Sequence, residues 1–216
     1  MTENKAMSKV FPIIAGTADI ASQENLRFGN LKDLTDGSLT KAQPNFYDGA
    51  RLEELNKQIR QELGPYIVPS KNTAAPCLPN FFMEGKGPKG LTNVGKLQAL
   101  YNGALGARGI HEIQSYIDPE QAHDDHAYVI TSTYHAGPGA LKLYATHRTQ
   151  SSDPDRDYDF RMTQLRGWDM TDSPDTFRQG AGALRNARQW AKGKREELTA
   201  AANGKALTLD HSEQGS

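Results

Sequence analysis

One run, Pro79-Asn80-Phe81-Phe82-Met83-Glu84-Gly85-Lys86-Gly87-Pro88, limits the possible folds more than any other part of the chain. Side chains alternate across a strand, so Phe81, Phe82 and Met83 place apolar groups on both faces. A strand of that kind is covered on each side, which points to a sheet flanked by helices. The same alternation projects Glu84 and Lys86 together at the strand's end, where Gly87-Pro88 breaks it. An acid and an amine held side by side suit phosphodiester chemistry: the carboxylate is a hard oxygen ligand for Mg²⁺, and the ammonium orients water or offsets phosphate charge. An acidic-x-Lys triplet also arises about once by chance in a chain this charged, and a solvated strand face with one ion pair would look the same, so the surroundings must decide.

After the break, Thr92 to Arg108 reads as a helix, with Val94, Leu97, Tyr101 and Ala104 at helical spacing and Thr92 or Asn93 as N-cap. Lys96, Gln98 and Tyr101 fall in its first turns, within reach of the strand's end. Tyr101 is expected to fill core, which leaves Gln98 as the more telling polar residue. A strand-ending Glu-x-Lys, a Gly-Pro break and a helix carrying Gln and Tyr resemble the PD-(D/E)xK nuclease superfamily, the restriction-endonuclease-like fold. The wording Pro-Asn-Phe-Phe-x-Glu-x-Lys-Gly-Pro, with the later Tyr-x-Gly-Ala-Leu-Gly-Ala-Arg-Gly, is similar to fungal members of it. The resemblance spans about Leu26 to Leu165. It implies that Glu84, Lys86 and Gln98 are catalytic and that Mg²⁺ is the cofactor.

In that superfamily a Pro-Asp pair on the preceding strand supplies the first metal-binding carboxylate. The matching residues here are Pro44-Asn45. An Asn amide offers Mg²⁺ an oxygen without the charge, and lost charge weakens binding of a hard dication. Asp48, three residues on, would face the other side of a regular strand and reach the metal only through a bend. It is better placed as N-cap of an amphipathic helix from Ala50 to Leu63, whose Leu52, Leu55, Ile59 and Leu63 share a face. Full superfamily cores also begin with a helix. Fewer than about ten residues here precede the first segment read as extended, too few for a stable helix of that kind.

The expected class is α/β (α+β): a mixed central sheet flanked by helices, with an added hairpin and a long C-terminal helix. Phe11–Ile14 and Leu26–Leu34 read as short extended segments, Leu39–Phe46 and Tyr66–Val68 as strands, and Tyr128–Tyr134 with Leu141–His147 as a hairpin about Ala136-Gly137-Pro138-Gly139. A further alternating stretch, 158–165, follows the Asp-rich loop 151–157. Ser173-Pro174-Asp175 opens the last helix, with Ser as N-cap and Pro at the first helical position. Residues 1–10 are expected to be disordered, 11–202 to form one domain and 203–216 to be a loose tail. With 216 residues and 37% apolar content there is material for one well-packed core.

Other signals are weaker. A net charge of −1 does not mark a dedicated nucleic-acid binder. A local stripe on the last helix, Arg178, Arg185, Arg188, Lys192 and Arg195, would track a phosphate backbone, with Lys89 and Lys96 near the strand's end adding charge, unless it is simply a solvated helix face. The single cysteine, Cys77, excludes a disulfide framework, and no apolar run reaches transmembrane length, so an intracellular chain without a membrane partner is expected. His123-Asp124-Asp125-His126 reads as a solvated loop rather than a metal site. Two functions emerge: a metal-dependent nuclease acting on nucleic acid but weakened by Asn45, or a non-catalytic binding or interaction module on the same fold.

Overall fold

A computed structural model describes residues 3–120 and 126–214, and in it all ten residues of the strand Cys77–Lys86 (β3) are buried. The strand earns that position by pairing on both edges and being covered on both faces. Among the described residues β1 (Ser22–Glu24), β2 (Phe46–Ala50), β3, β4 (Val129–His135), β5 (Ala140–Gln150) and β6 (Tyr158–Asp169) form one sheet in chain order. All neighbours are antiparallel except β3 and β4, which run parallel. A parallel pair needs a crossover, and the helix α3 (Thr92–Ile117) provides it. The fold is thus a mixed sheet with helices on both faces, as the two-faced strand required.

Phe82 pairs with Tyr47, and both lie in a cluster with Ile59, Ile67, Leu105 and Ile110 beneath α2 (Lys57–Ile67) and α3. Phe81, Met83 and Phe46 face the other way, against α1 (Glu3–Ala15) and α4 (Pro174–Gln214). The helix α3 seats closely because its inward face is nearly bare. A Cβ on Gly106 would fall 2.8 Å from the Phe82 ring, and one on Gly103 would fall 2.6 Å from Thr146 Oγ1. Only glycine lets the backbone approach so near.

Several local expectations are corrected. Residues 11–14 are not extended, and the segment expected to be disordered is helical from Glu3. Met7, Val10, Phe11 and Ile14 recur at i, i+3, i+4 and i+7, and their burial against Phe46 and Met83 overrides Pro12. Phe11 and Phe46 bring their ring centroids to 4.5 Å. The helix read from Ala50 begins only at Lys57, capped by Asn56, whose side chain accepts from Gln58 N at 2.8 Å. Residues 66–67 end that helix rather than forming a strand. The segment 26–34 pairs with no strand, and the second strand starts at Phe46 instead of Leu39. Helix α4 continues through the expected tail to Gln214, and its Trp190 is exposed. On α3 the stripe Val94, Leu97 turns outward, while Gly95, Ala99 and Asn102 face the sheet. Most of the His-rich cluster, residues 123–125, lies outside the described residues. No helix among the described residues is long and apolar enough to cross a membrane.

Of the α4 cations, Arg188 and Arg195 are buried, while Arg178 and Arg185 stay exposed. Arg188 holds Asp48 by a bidentate pair, Nε to Oδ2 at 2.8 Å and Nη2 to Oδ1 at 2.9 Å, with both side chains buried. Ser22 Oγ donates to the same carboxylate at 2.6 Å. Arg188 and Arg185 also donate to the carbonyls of Ala15, Ile14 and Ile13, so α4 caps the C-terminus of α1, where carbonyls lack partners and cations are favoured. Gly16, at φ 63°, takes the left-handed turn that ends that helix. Arg195 donates to the buried Asn80, and Lys192 to the carbonyl of Asp19. Asp48 is therefore a sheet-to-helix tie, not a helix cap.

Removing one member of a buried pair strands the other charge. Arg188→Ala is expected to cost about 3–5 kcal/mol, lowering Tm by roughly 10 °C, while Asp48→Leu with Arg188→Leu recovers much of the loss. Denaturant melts of the three proteins check it. Burial also raises the Cys77 thiol from its ordinary value near 9 to about 12. The folded thiol keeps its proton where the unfolded one loses it, so this contribution is whole below pH 9 and is lost as pH rises toward 12. Cys77→Ala should flatten the alkaline fall in stability, and Cys77 in the native protein should resist a thiol reagent until the chain unfolds.

Candidate functional site

The end of β3 sets the site. Glu84 and Lys86 share the α3 face, and the register places Glu84 beside Thr133 and Lys86 beside His135 on β4. Thr133 in turn pairs with Lys142 on β5, so Glu84, Thr133 and Lys142 form a row across three strands. Both Glu84 and Lys86 are buried, because α3 begins directly over them. The Lys86 stem runs under Gly95, where an added Cβ would fall 3.1 Å from Lys86 Cγ. Asn102 Nδ2 donates to Glu84 Oε1 at 2.6 Å, a hydrogen bond to a buried acidic side chain that fixes its rotamer.

The loop between β3 and α3 is tied down as well. His135 Nε2 lies 2.7 Å from the Gly90 carbonyl, and Gly137 N donates to His135 Nδ1 at 3.3 Å. A carbonyl can only accept, so Nε2 carries the proton and Nδ1 accepts. Asn45 precedes Phe46, whose partner is Met83, and its Oδ1 accepts from Gly85 N at 2.7 Å. The structure thus brings Asn45, Glu84 and Lys86 to one end of the sheet and adds Asn102, which the sequence reading missed. Its signal was present: Asn102 follows Gln98 by one helical turn. Reading the Val94 stripe as inward hid it.

The remaining candidates lie elsewhere. Asp48 pairs with Phe81 on the opposite sheet face, held by Arg188. Gln98 is exposed and lines a cleft on the outer side of α3. Lys89 and Lys96 are exposed near the start of α3, and Arg178 is exposed beside Asp175 at 2.7 Å. Arg185, Arg188 and Lys192 make the inward contacts described above.

Mg²⁺ asks for several oxygen ligands with carboxylates among them. The residues that converge here offer one carboxylate, Glu84, with the amides of Asn45 and Asn102 and a lysine. Among the described residues no group of three or more His, Cys, Asp or Glu is placed to hold a metal. This donor set does not fit a catalytic Mg²⁺ centre: one acid and one amine sit at the strand's end near two amides, one of which, Asn102, donates to the acid. No family model, curated protein or solved structure matches the chain.

Proposed function

We propose that this chain is a nuclease-like fold, resembling the PD-(D/E)xK superfamily, that no longer carries efficient metal-dependent phosphodiester cleavage and works as a non-catalytic interaction module. Several features support the likeness: Glu-x-Lys ends the central strand, the crossover helix starts over it, and a helix opens the chain where the sequence suggested too little room for one. One observation carries the loss of catalysis. On this reading Asn45 stands where the motif has a carboxylate, and its amide oxygen accepts from Gly85 N, while the carboxylate of β2, Asp48, is on the other face in a bidentate ion pair. A nuclease surface would also need cations free to meet phosphates. Arg188 and Arg195 of the α4 stripe are buried against β2 and β3, leaving Lys89, Lys96, Arg178 and Arg185 exposed, with Arg178 beside Asp175 and Arg185 on carbonyls of α1.

Restoring the carboxylate tests the reading. Asn45→Asp keeps an acceptor for Gly85 N and adds a negative charge beside Glu84, so Mn²⁺ should bind at least about tenfold more tightly than to the parent, by roughly 1.4 kcal/mol. Calorimetric titration measures this. A plasmid-nicking assay run alongside should show no Mg²⁺-dependent nicking by the parent. Nicking by the parent that Glu84→Gln and Lys86→Ala each abolish would overturn the proposal in favour of an active nuclease. Unchanged metal affinity in Asn45→Asp would show that residue 45 does not share a metal site with Glu84.

A further inference from the structure

The helical stripe most visible in the sequence of α3 is uncovered at its start, at Val94 and Leu97, while Tyr101 is half-buried and Ala104 buried. Leu97 is 64% exposed and Val94 42%, and with Tyr101 and Ala104 they floor a cleft of about 1050 Å³ on the outer side of the helix. One wall is the loop before β2, where Leu39 is 48% exposed. The other wall is the start of β6, with Tyr158 and Phe160. That second wall is braced by its own contacts: the two rings meet edge to face at 5.4 Å, and the Arg148 guanidinium stacks on Tyr158 at 3.7 Å. Apolar residues at i, i+3, i+7 and i+10 on an exposed helix cost solubility unless something covers them.

The rim identifies the occupant. In the loop 151–159 above the Tyr158 wall, Asp157 and Asp159 line the cleft together with Arg156, and Asp153 and Asp155 stand farther along the same loop, so four carboxylates face one cation, 3.5 Å from Asp153 and 3.9 Å from Asp159. Exposed Asp36 stands in the loop of the opposite wall. In that loop Lys41 is already paired with Asp33 at 2.8 Å. An apolar floor beneath an acidic rim repels phosphate and favours a ligand with an apolar face and basic flanks. An amphipathic helix laid in a groove presents such a pattern. We propose that this cleft docks a basic amphipathic helix of a partner protein, its leucine-class face on Val94, Leu97 and Leu39 and its lysines or arginines against the 151–159 loop. The proposal rests on the reading of the chain as an interaction module but not on its metal chemistry, so nicking activity would overturn that reading and leave the cleft untouched.

The test uses fluorescein-labelled helical peptides of about 18 residues, long enough to hold a helix, and the full chain. One peptide carries leucines at i, i+3, i+4 and i+7 with lysines elsewhere, a second has glutamates for lysines, and a third scrambles the first. Anisotropy at about 0.15 M salt should show saturable binding of the Leu/Lys peptide alone. Val94→Gln with Leu97→Gln should weaken it at least about tenfold, and Asp155→Asn with Asp157→Asn should weaken it and flatten its salt dependence. Both pairs are surface changes that leave the melting temperature near the parent's. Trp190→Gln, at another exposed apolar residue, should bind as the parent does. Equal binding of the glutamate or scrambled peptide, or full binding by the Val94/Leu97 variant, overturns the proposal. A parent that sediments as a dimer and becomes a monomer in that variant overturns it too, in favour of a second copy in the cleft.

Discussion

The close seating of α3 on β3 and β4 is the constraint on which the rest of the structure depends. Glycines at 95, 103 and 106 bring the helix backbone down onto Lys86, Thr131, Thr146 and Phe82, and a methyl group at 103 or 106 would collide with its neighbours. Because the helix lies so low, Asn102 reaches Glu84 within hydrogen-bond distance and the Lys86 stem is roofed by Gly95. The polar network at the strand's end is therefore a product of missing side chains as much as of those present. In its first turns the same seating turns Val94 and Leu97 away from the sheet, so the cleft on the outer surface is the counterpart of the tight inner one, while Leu105, Ile110 and Ile113 farther along stay in the core.

The parts of this fold that were legible in the sequence are those governed by local pattern. The apolar strand that ends in Glu84 and Lys86, the hairpin about Gly137 and the start of α4 each carry their own periodicity and their own punctuation. What stayed hidden was decided by contacts far apart in the chain. Phe11 and Ile14 look like a short extended run beside a proline until Phe46 and Met83 are there to receive a helix. Asp48 before an apolar-periodic segment looks like a cap, and only Arg188, 140 residues away, makes it an ion pair. The glycines of α3 were visible and unmatched by any phosphate-binding pattern; their role as a packing seam depends on Thr131 and Thr146, which come later on other strands.

The candidate site shows the same division. Glu84 and Lys86 could be placed on one face by counting alone, and Asn45, singled out by its wording, lies at the same end of the sheet. Whether Asp48 joined them turned on strand parity, and the parity held: three residues from Asn45 puts it on the opposite face. The arginine stripe of α4 shows where a spacing pattern leaves two readings open. A row of guanidiniums at helical spacing describes a phosphate track and an internal clamp equally well, since five planar donors suit carbonyls and carboxylates as readily as phosphates. Burial is what separates the two, and here Arg188 and Arg195 are almost wholly enclosed.

The tie between Asp48 and α4 also orders events during synthesis. A ribosome releases β2 and β3 long before the segment that holds Arg188, so a nascent chain that has already paired its first strands carries a carboxylate destined for burial with no cation to meet it. Domains emerge at about 5–20 residues per second, and long-range contacts close last. For that interval burying Asp48 would cost the desolvation of an unpaired charge, and the C-terminal carbonyls of α1 lack the arginines that meet them in the finished fold. The last helix is thus the latch that turns a collection of strands into a dry core, and any chaperone that shields this chain would have its longest task on the exposed face of β2 and β3 awaiting α4.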